Sequence, residues 1–296
     1  MNRKVLITGA TGDTGRAAVK ESIQRGVHVR AMVHRKDDRS AALETLRAEV
    51  VVGDLHEIDT VRQAMEGMDA AYFVYPVQSG LIEATVNFAQ AAKEAGVAAV
   101  VNLSQRSASR TSKSHACRDT WIAEQVMNWS GLAVTHLRPT YFLEWLLYPW
   151  QLPLFLSKGI IRMAVGKGRH APIAAEDQGR VISAILQNPG EHAGQTYPLF
   201  GPVEMDHEEM ARELTEALGR KIVFENVSID DYSKSLEKMG VPAYVIQHFE
   251  GAMDDYQHGV MSGMNDNVER LTGQKPMSVR EFARAHLDQL NPKKNT

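Results

Sequence analysis

Three glycines spaced three apart, Gly9, Gly12 and Gly15, follow directly on a short apolar run, Val5-Leu6-Ile7. A segment with Ala17, Ala18, Val19 and Ile23 on one side comes next. Strand, glycine turn and amphipathic helix in that order form a first βα unit, the setting in which such a triplet carries meaning. Gly9 allows the tight turn, Gly12 lets backbone approach a pyrophosphate, and Gly15 lets helix and strand pack closely. The anion then rests on the free N–H groups at the helix start. Thr11, Asp13 and Thr14, which fill the turn and the first helical positions, join the glycines as candidate cofactor contacts.

The second unit bears on which dinucleotide is held. Val27–Val33 reads as a strand and is followed by His34-Arg35-Lys36. An acidic residue about 20 positions after the glycines would hold a ribose 2′-OH. A basic cluster stands there instead, so Arg35, assisted by Lys36 or His34, is a candidate clamp for a 2′-phosphate, because guanidinium matches phosphate bidentately. NADP(H) is therefore favoured over NAD(H); a solvated loop is the alternative for that cluster.

The chain has 296 residues, 44% of them hydrophobic, enough to bury a large core as one extended domain or a domain with a lobe. A formal charge of −3 gives no electrostatic case for nucleic acid or an acidic membrane. The one cysteine, Cys117, cannot form an internal disulfide and suits a reducing compartment. No apolar run reaches the ~18 residues of a membrane span, and the first is too short for a signal peptide, so cytoplasm is the expected location.

Apolar strands alternate with helical segments up to about residue 138, the pattern of a doubly wound parallel sheet. Beyond Pro139 the rhythm breaks into aromatic, glycine-studded and proline-punctuated stretches, with further helices at 177–186, 208–218, 244–256 and 279–290 and a strand at 221–227. The expected architecture is α/β: a Rossmann-type domain over 1–150 and a smaller α+β lobe over 151–296, with a frayed tail from Asn291.

Thr8–Gly15, the basic residue after the second strand, Gly53-Asp54-Leu55 and Leu137-Arg138-Pro139 together resemble the NmrA-like proteins, atypical short-chain dehydrogenase/reductases. The resemblance spans nearly the whole chain. It implies an NADPH-dependent quinone or azo reductase, or a relative that binds NADP(H) as a regulator. By position it places Asp54 and Leu55 near the adenine, Val74-Tyr75-Pro76 along the ribose and pyrophosphate, and Ser104-Gln105 near the nicotinamide ribose. Each also has a plainer reading: Asp54 as a helix cap, Tyr75-Pro76 as a turn, Ser104 as a loop hydroxyl.

No tyrosine has a lysine four residues later, so the proton-relay pair usual in short-chain dehydrogenases is missing. His115 resembles a histidine common near that tyrosine's place, and Asp119, at i+4, could orient it; a helix-surface contact is the alternative. Cys117 is assigned no role. Tyr141–Phe155 is dense in aromatic residues and reads as the wall for a small planar hydrophobic acceptor, or else as packing for the lobe or a dimer contact. Tyr141 and Phe142 are expected to face the cofactor, with Tyr141, His115 and Asp119 as catalytic candidates. No metal site is expected, since the histidines lack ligand spacing.

Two classes follow. The leading one is a reductase passing hydride from NADPH to a planar, electron-poor acceptor. The other is a non-catalytic NADP(H) sensor acting through a protein partner. Monomer and homodimer both remain open.

Overall fold

A computed structural model of the chain describes residues 3–291; the tail expected to fray lies outside the described residues from 292 onward. The first half alternates as expected: β1 (Lys4–Ile7), α1 (Asp13–Gln24), β2 (His28–Val33), α2 (Asp38–Thr45), β3 (Glu49–Val52) and α3 (Ile58–Met65). Then come β4 (Ala70–Phe73), α4 (Leu81–Glu94), β5 (Ala99–Leu103), α5 (His115–Trp129) and β6 (Ala133–Pro139). A 3₁₀ turn at Leu143–Leu147 leads to α6 (Leu152–Lys158), β7 (Ile160–Met163), α7 (Ala175–Gln187), β8 (Thr196–Leu199), α8 (His207–Leu218) and β9 (Val223–Asn226). The chain ends through α9 (Ile229–Lys238), α10 (Ala243–Gln257), α11 (Asn267–Thr272), α12 (Val279–Ala285) and α13 (Leu287–Leu290).

Seven strands form one parallel sheet in the order β3-β2-β1-β4-β5-β6-β8. The central strands are sealed on both faces: Val5, Leu6, Ile7, Ala70, Ala71 and Tyr72 are all fully buried. Helices covering both faces explain why these strands read as continuous apolar runs rather than alternating ones. Strand order reverses between β1 and β4, and a crevice opens there beyond the strand ends. A separate apolar core, built around Trp145, Phe155, Leu214 and Phe282, lies outside the sheet and includes the small parallel pair β7–β9.

The chain crosses the boundary expected at residue 150. Helix α7 packs along α1, close enough that a Cβ on Gly179 would stand 2.5 Å from the Cβ of Ala17. Strand β8 then completes the main sheet beside β6. Pro198 disguised that strand in the sequence. At a sheet edge the missing N–H is tolerated, and the Pro198 carbonyl accepts the side-chain amides of Asn265 (3.0 Å) and Asn267 (2.8 Å). Among the described residues no helix is long and apolar enough to cross a membrane. The helix expected over 279–290 is interrupted at His286, whose ring Nδ1 lies 3.0 Å from the Phe282 carbonyl.

Candidate functional site

The glycine turn lies at the switch point between β1 and β4. Gly9 has a φ of +55°, and a Cβ there would meet Val74 Cγ1 at 2.5 Å. On Gly15 a Cβ would stand 2.2 Å from the Gly9 carbonyl oxygen, so helix and turn touch as the motif requires. Gly12 differs: the one atom near its Cβ position is the Gly9 oxygen at 3.3 Å. Its N–H donates to that same oxygen (2.9 Å), which closes the turn and leaves the first-turn amides of α1 for an anion. The turn is tied to β4 from below. Thr8 Oγ1 donates to the Tyr72 carbonyl (3.0 Å) and accepts Val74 N–H (3.1 Å), and Thr14 Oγ1 lies 3.0 Å from the Tyr72 hydroxyl.

A cavity of about 750 Å³ runs from this turn to an aromatic wall. Gly9, Thr11, Gly12, Asp13 and Thr14 line one end; Val74, Tyr75 and Pro76 line its side. Ser104, Gln105, Tyr141 and Phe142 line it as well. The Ser104 hydroxyl is already committed, donating to Glu124 Oε1 (2.5 Å), and Gln105 Nε2 donates to Thr120 Oγ1 (2.8 Å). Tyr75 holds its own loop by donating to the Ser79 carbonyl (2.9 Å). The Asp13 carboxylate turns toward Tyr148, whose hydroxyl stands 3.4 Å away. An open helix start, an unobstructed Gly12 and a long cleft together suit a dinucleotide.

Other expected contacts stand apart from the cavity. Arg35 is exposed at the end of β2, without an ion pair among the described residues, and Lys36 pairs with Glu44 (3.1 Å). Asp54 accepts the His56 N–H (2.9 Å), and Leu55 packs toward the helices on one face of the sheet. Gly15 is buried beneath the turn. Arg39, which sequence reasoning passed over, lines the cavity from the first turn of α2 and is paired with Asp37 (2.7 Å). The visible signal was the N-capping Asp37, which fixes where α2 begins.

The expected His115–Asp119 pair does not form. His115 is exposed and outside the cavity, and its backbone N–H donates to Gln247 Oε1 (2.8 Å). Asp119 instead accepts the Tyr244 hydroxyl (2.9 Å). The reason is helical phase: the face of α5 that lines the cavity carries Ala116, Thr120 and Ala123, and His115 points elsewhere. Cys117 is buried against Ser107 (3.1 Å), and burial pushes its thiol pKa up, which agrees with a packing residue.

Helix α10 closes the cavity with Tyr244, His248 and Phe249, a contribution that no spacing in the chain foreshadows. Edge-on rings build the wall: Tyr141 on Trp145 (5.7 Å between centroids), Tyr148 on Trp150 (5.1 Å), and Trp150 on Phe249 (5.8 Å). Burial holds the Tyr141 phenol well above its usual pKa, so it stays protonated. Beside the wall, buried Glu144 accepts the N–H of Ala175 (2.8 Å) at the start of α7, and burial lifts its pKa to about 8. Among the described residues no group of three or more potential ligands could hold a metal.

Behind Trp145 sits His207, its ring 4.8 Å from His170 and 5.2 Å from Phe224. Neither imidazole has a hydrogen-bond partner among the described residues, and burial drives the His207 pKa down to about 4. The unfolded ring titrates near 6.5. The unfolded chain therefore takes the proton first, and His207 destabilises the fold increasingly as pH falls from 6.5 towards 4, with no effect above. His207→Phe is expected to gain up to about 1.4 kcal/mol per pH unit over that window relative to wild type. Urea midpoints of both proteins at pH 7, 6 and 5 check this; parallel profiles would show that the ring is not buried in its neutral form.

A parallel seven-stranded sheet with a glycine turn at its switch point defines a Rossmann-type NAD(P)-binding protein. Within that class the chain belongs to the NmrA-like family, whose model matches residues 1–283. It is similar to the NAD(P)H azoreductase of Xenophilus azovorans, 29% identical over 288 residues that cover 95% of this chain and 97% of that protein. The NADPH complex of a quinone oxidoreductase from Escherichia coli superposes with a TM-score of 0.83 at 23% identity, covering 96% and 99% of the two chains. NmrA, described as a negative transcriptional regulator and solved with NAD, superposes at 0.80 with 16% identity over 100% and 98%. At these identities the two structures attest the fold.

Proposed function

We propose that this protein transfers hydride from NADPH to a planar, electron-poor acceptor such as a quinone or an azo compound. The observation that carries the reading is the continuity of one cavity from the glycine turn to the aromatic wall. The names of the azoreductase and of the NADPH-bound quinone oxidoreductase agree with it. NADPH, when bound, supplies the hydride. The α1 amides would hold the pyrophosphate, Arg35, exposed at the end of β2, would reach out to the 2′-phosphate, and Ser104 and Gln105 would lie under the nicotinamide ribose. Tyr141, Phe142 and their neighbours stack the acceptor and exclude water from it. The α5 face offers Ala116, Thr120 and Ala123 where a tyrosine–lysine pair would be needed, so aliphatic carbonyls are poor substrates.

Consumption of NADPH by purified protein against quinones, azo dyes and simple carbonyls, with NADH in parallel, tests this. Turnover with quinones or dyes but not carbonyls is the expected result. Tight NADPH binding without turnover on any acceptor would replace the reading with that of an NADP(H) sensor. Arg35→Ala is expected to weaken NADPH binding about tenfold or more, through a lost charge-assisted contact, and to leave NADH nearly unaffected. Equal losses for both would remove Arg35 from the 2′-phosphate and point to Arg39.

A further inference from the structure

The cavity wall contains a histidine with one nitrogen held by protein and the other free. His248 lies on α10, facing the N-terminus of α5. Its Nδ1 stands 3.0 Å from Ser114 Oγ and 3.9 Å from Cys117 Sγ. Its Nε2 makes no hydrogen bond among the described residues and is left to the cavity that the ring lines.

The neighbours of Nδ1 decide where the ring proton sits. Ser114 Oγ already accepts the Cys117 N–H (3.2 Å) as the N-cap of α5, so its hydroxyl proton is free to be given to Nδ1. The buried Cys117 thiol keeps its proton as well. The Cys117 thiol donates to Gln105 Oε1 (3.4 Å), so the Ser114 hydroxyl is the donor left for Nδ1; that nitrogen is then the acceptor, and the neutral imidazole carries its hydrogen on Nε2. Burial drives the His248 pKa to about 4, so the ring is neutral at physiological pH and its Nε2–H is a fixed donor rather than a titrating acid. Most other hydroxyls around the cavity are spent: Tyr244 donates to Asp119, Tyr75 to the Ser79 carbonyl, and Ser104 to Glu124. Among the described residues Tyr141 is a competing free donor; Thr140 Oγ1 and the indole N–H groups of Trp145 and Trp150 also lack partners, but those atoms are fully buried.

We propose that His248 is the hydrogen-bond donor that receives the acceptor's carbonyl oxygen or azo nitrogen, an assignment that rests on reading the cavity as a reductase site. A quinone taking hydride from NADPH gains two electrons and one hydrogen, and negative charge builds on its oxygen. The Nε2–H holds that oxygen, a placement that strengthens as the charge develops. The proton that completes the hydroquinone comes from solvent, and NADP⁺ is left.

A ligand that cannot be reduced isolates this contact. Affinities of 1-naphthol and naphthalene are measured on the protein saturated with NADP⁺, for wild type, His248→Phe and Tyr141→Phe. Wild type is expected to prefer naphthol, and His248→Phe to lose about tenfold of that preference while naphthalene binds as before. Preference retained in His248→Phe, or lost in Tyr141→Phe alone, overturns the assignment. Should His248→Phe fail to fold, the histidine ¹⁵N spectrum of wild type decides. An Nε2–H tautomer that shifts on naphthol addition upholds the proposal, and an Nδ1–H tautomer or an unmoved Nε2 defeats it. None of these readouts needs turnover, so a protein that consumes no NADPH would defeat the reductase reading on its own.

Discussion

Gly15→Ala is expected to weaken NADPH binding at least about a hundredfold and to lower the melting temperature with it. The added methyl would stand 2.2 Å from the Gly9 carbonyl oxygen and 2.8 Å from its carbonyl carbon. Both are backbone atoms, so no side chain can swing aside. Either α1 retreats from the turn or the turn opens, and each moves the first-turn amides of α1 that are proposed to hold the pyrophosphate. A loss of that size is about 2.7 kcal/mol, within reach of the overpacking cost in a tight core. Titration of NADPH fluorescence together with a thermal melt reads both effects. Gly190→Ala is the control, since open space surrounds that position and its backbone is unstrained. Wild-type affinity in Gly15→Ala would mean that the contact between helix and turn does not shape the site.

Glu124→Ala is expected to cost about 2–3 kcal/mol of stability, below the cost of breaking a fully buried pair because Arg138 is half-buried. The carboxylate is buried on α5, where Oε1 accepts Ser104 Oγ (2.5 Å) and Arg138 Nε (2.8 Å), and Oε2 accepts the guanidinium Nη2. It therefore fastens the helix to the C-terminal ends of β5 and β6, directly under the cavity. Removing it strands a half-buried guanidinium and a buried hydroxyl at once. Apolar replacement of both ion-pair partners, Glu124→Leu with Arg138→Met, is expected to recover much of the loss, because no charge is then left unpaired. Denaturant unfolding of the single and double variants checks the difference. If the double variant is no more stable than Glu124→Ala, the stranded guanidinium is not the source of the cost.

The half of the fold that was legible in the sequence is the half where local pattern and tertiary role agree. The β1–α1 unit announced itself because its glycines serve a turn, a close contact and a ligand within a few residues. Strand β8 was hidden, because Pro198 reads as a strand breaker and only its edge position makes it acceptable. The glycine-turn end of the cavity could be read from the sequence because it follows strand ends in order. The aromatic end could not. His248 and Tyr244 come from a helix more than a hundred residues beyond α5, and no spacing rule links the two. His115 misled for the opposite reason: it lay in the right stretch of sequence, but the rotation of α5 presents Ala116 and Thr120 to the cavity instead.

The late return of the chain to its own sheet has a consequence for synthesis. While residues 1–150 emerge from the ribosome, β6 is an uncovered edge and α1 lacks the α7 surface that packs on it. The nascent chain thus holds all the glycines of the nucleotide turn before it holds the helix that braces them. Only after residue 199 is the parallel sheet complete, with Pro198 on its outer edge and Asn265 and Asn267 still to come. A fragment ending near 150 would offer neighbouring chains an open strand to pair with. The glycine turn is thus translated well before the segments that brace it.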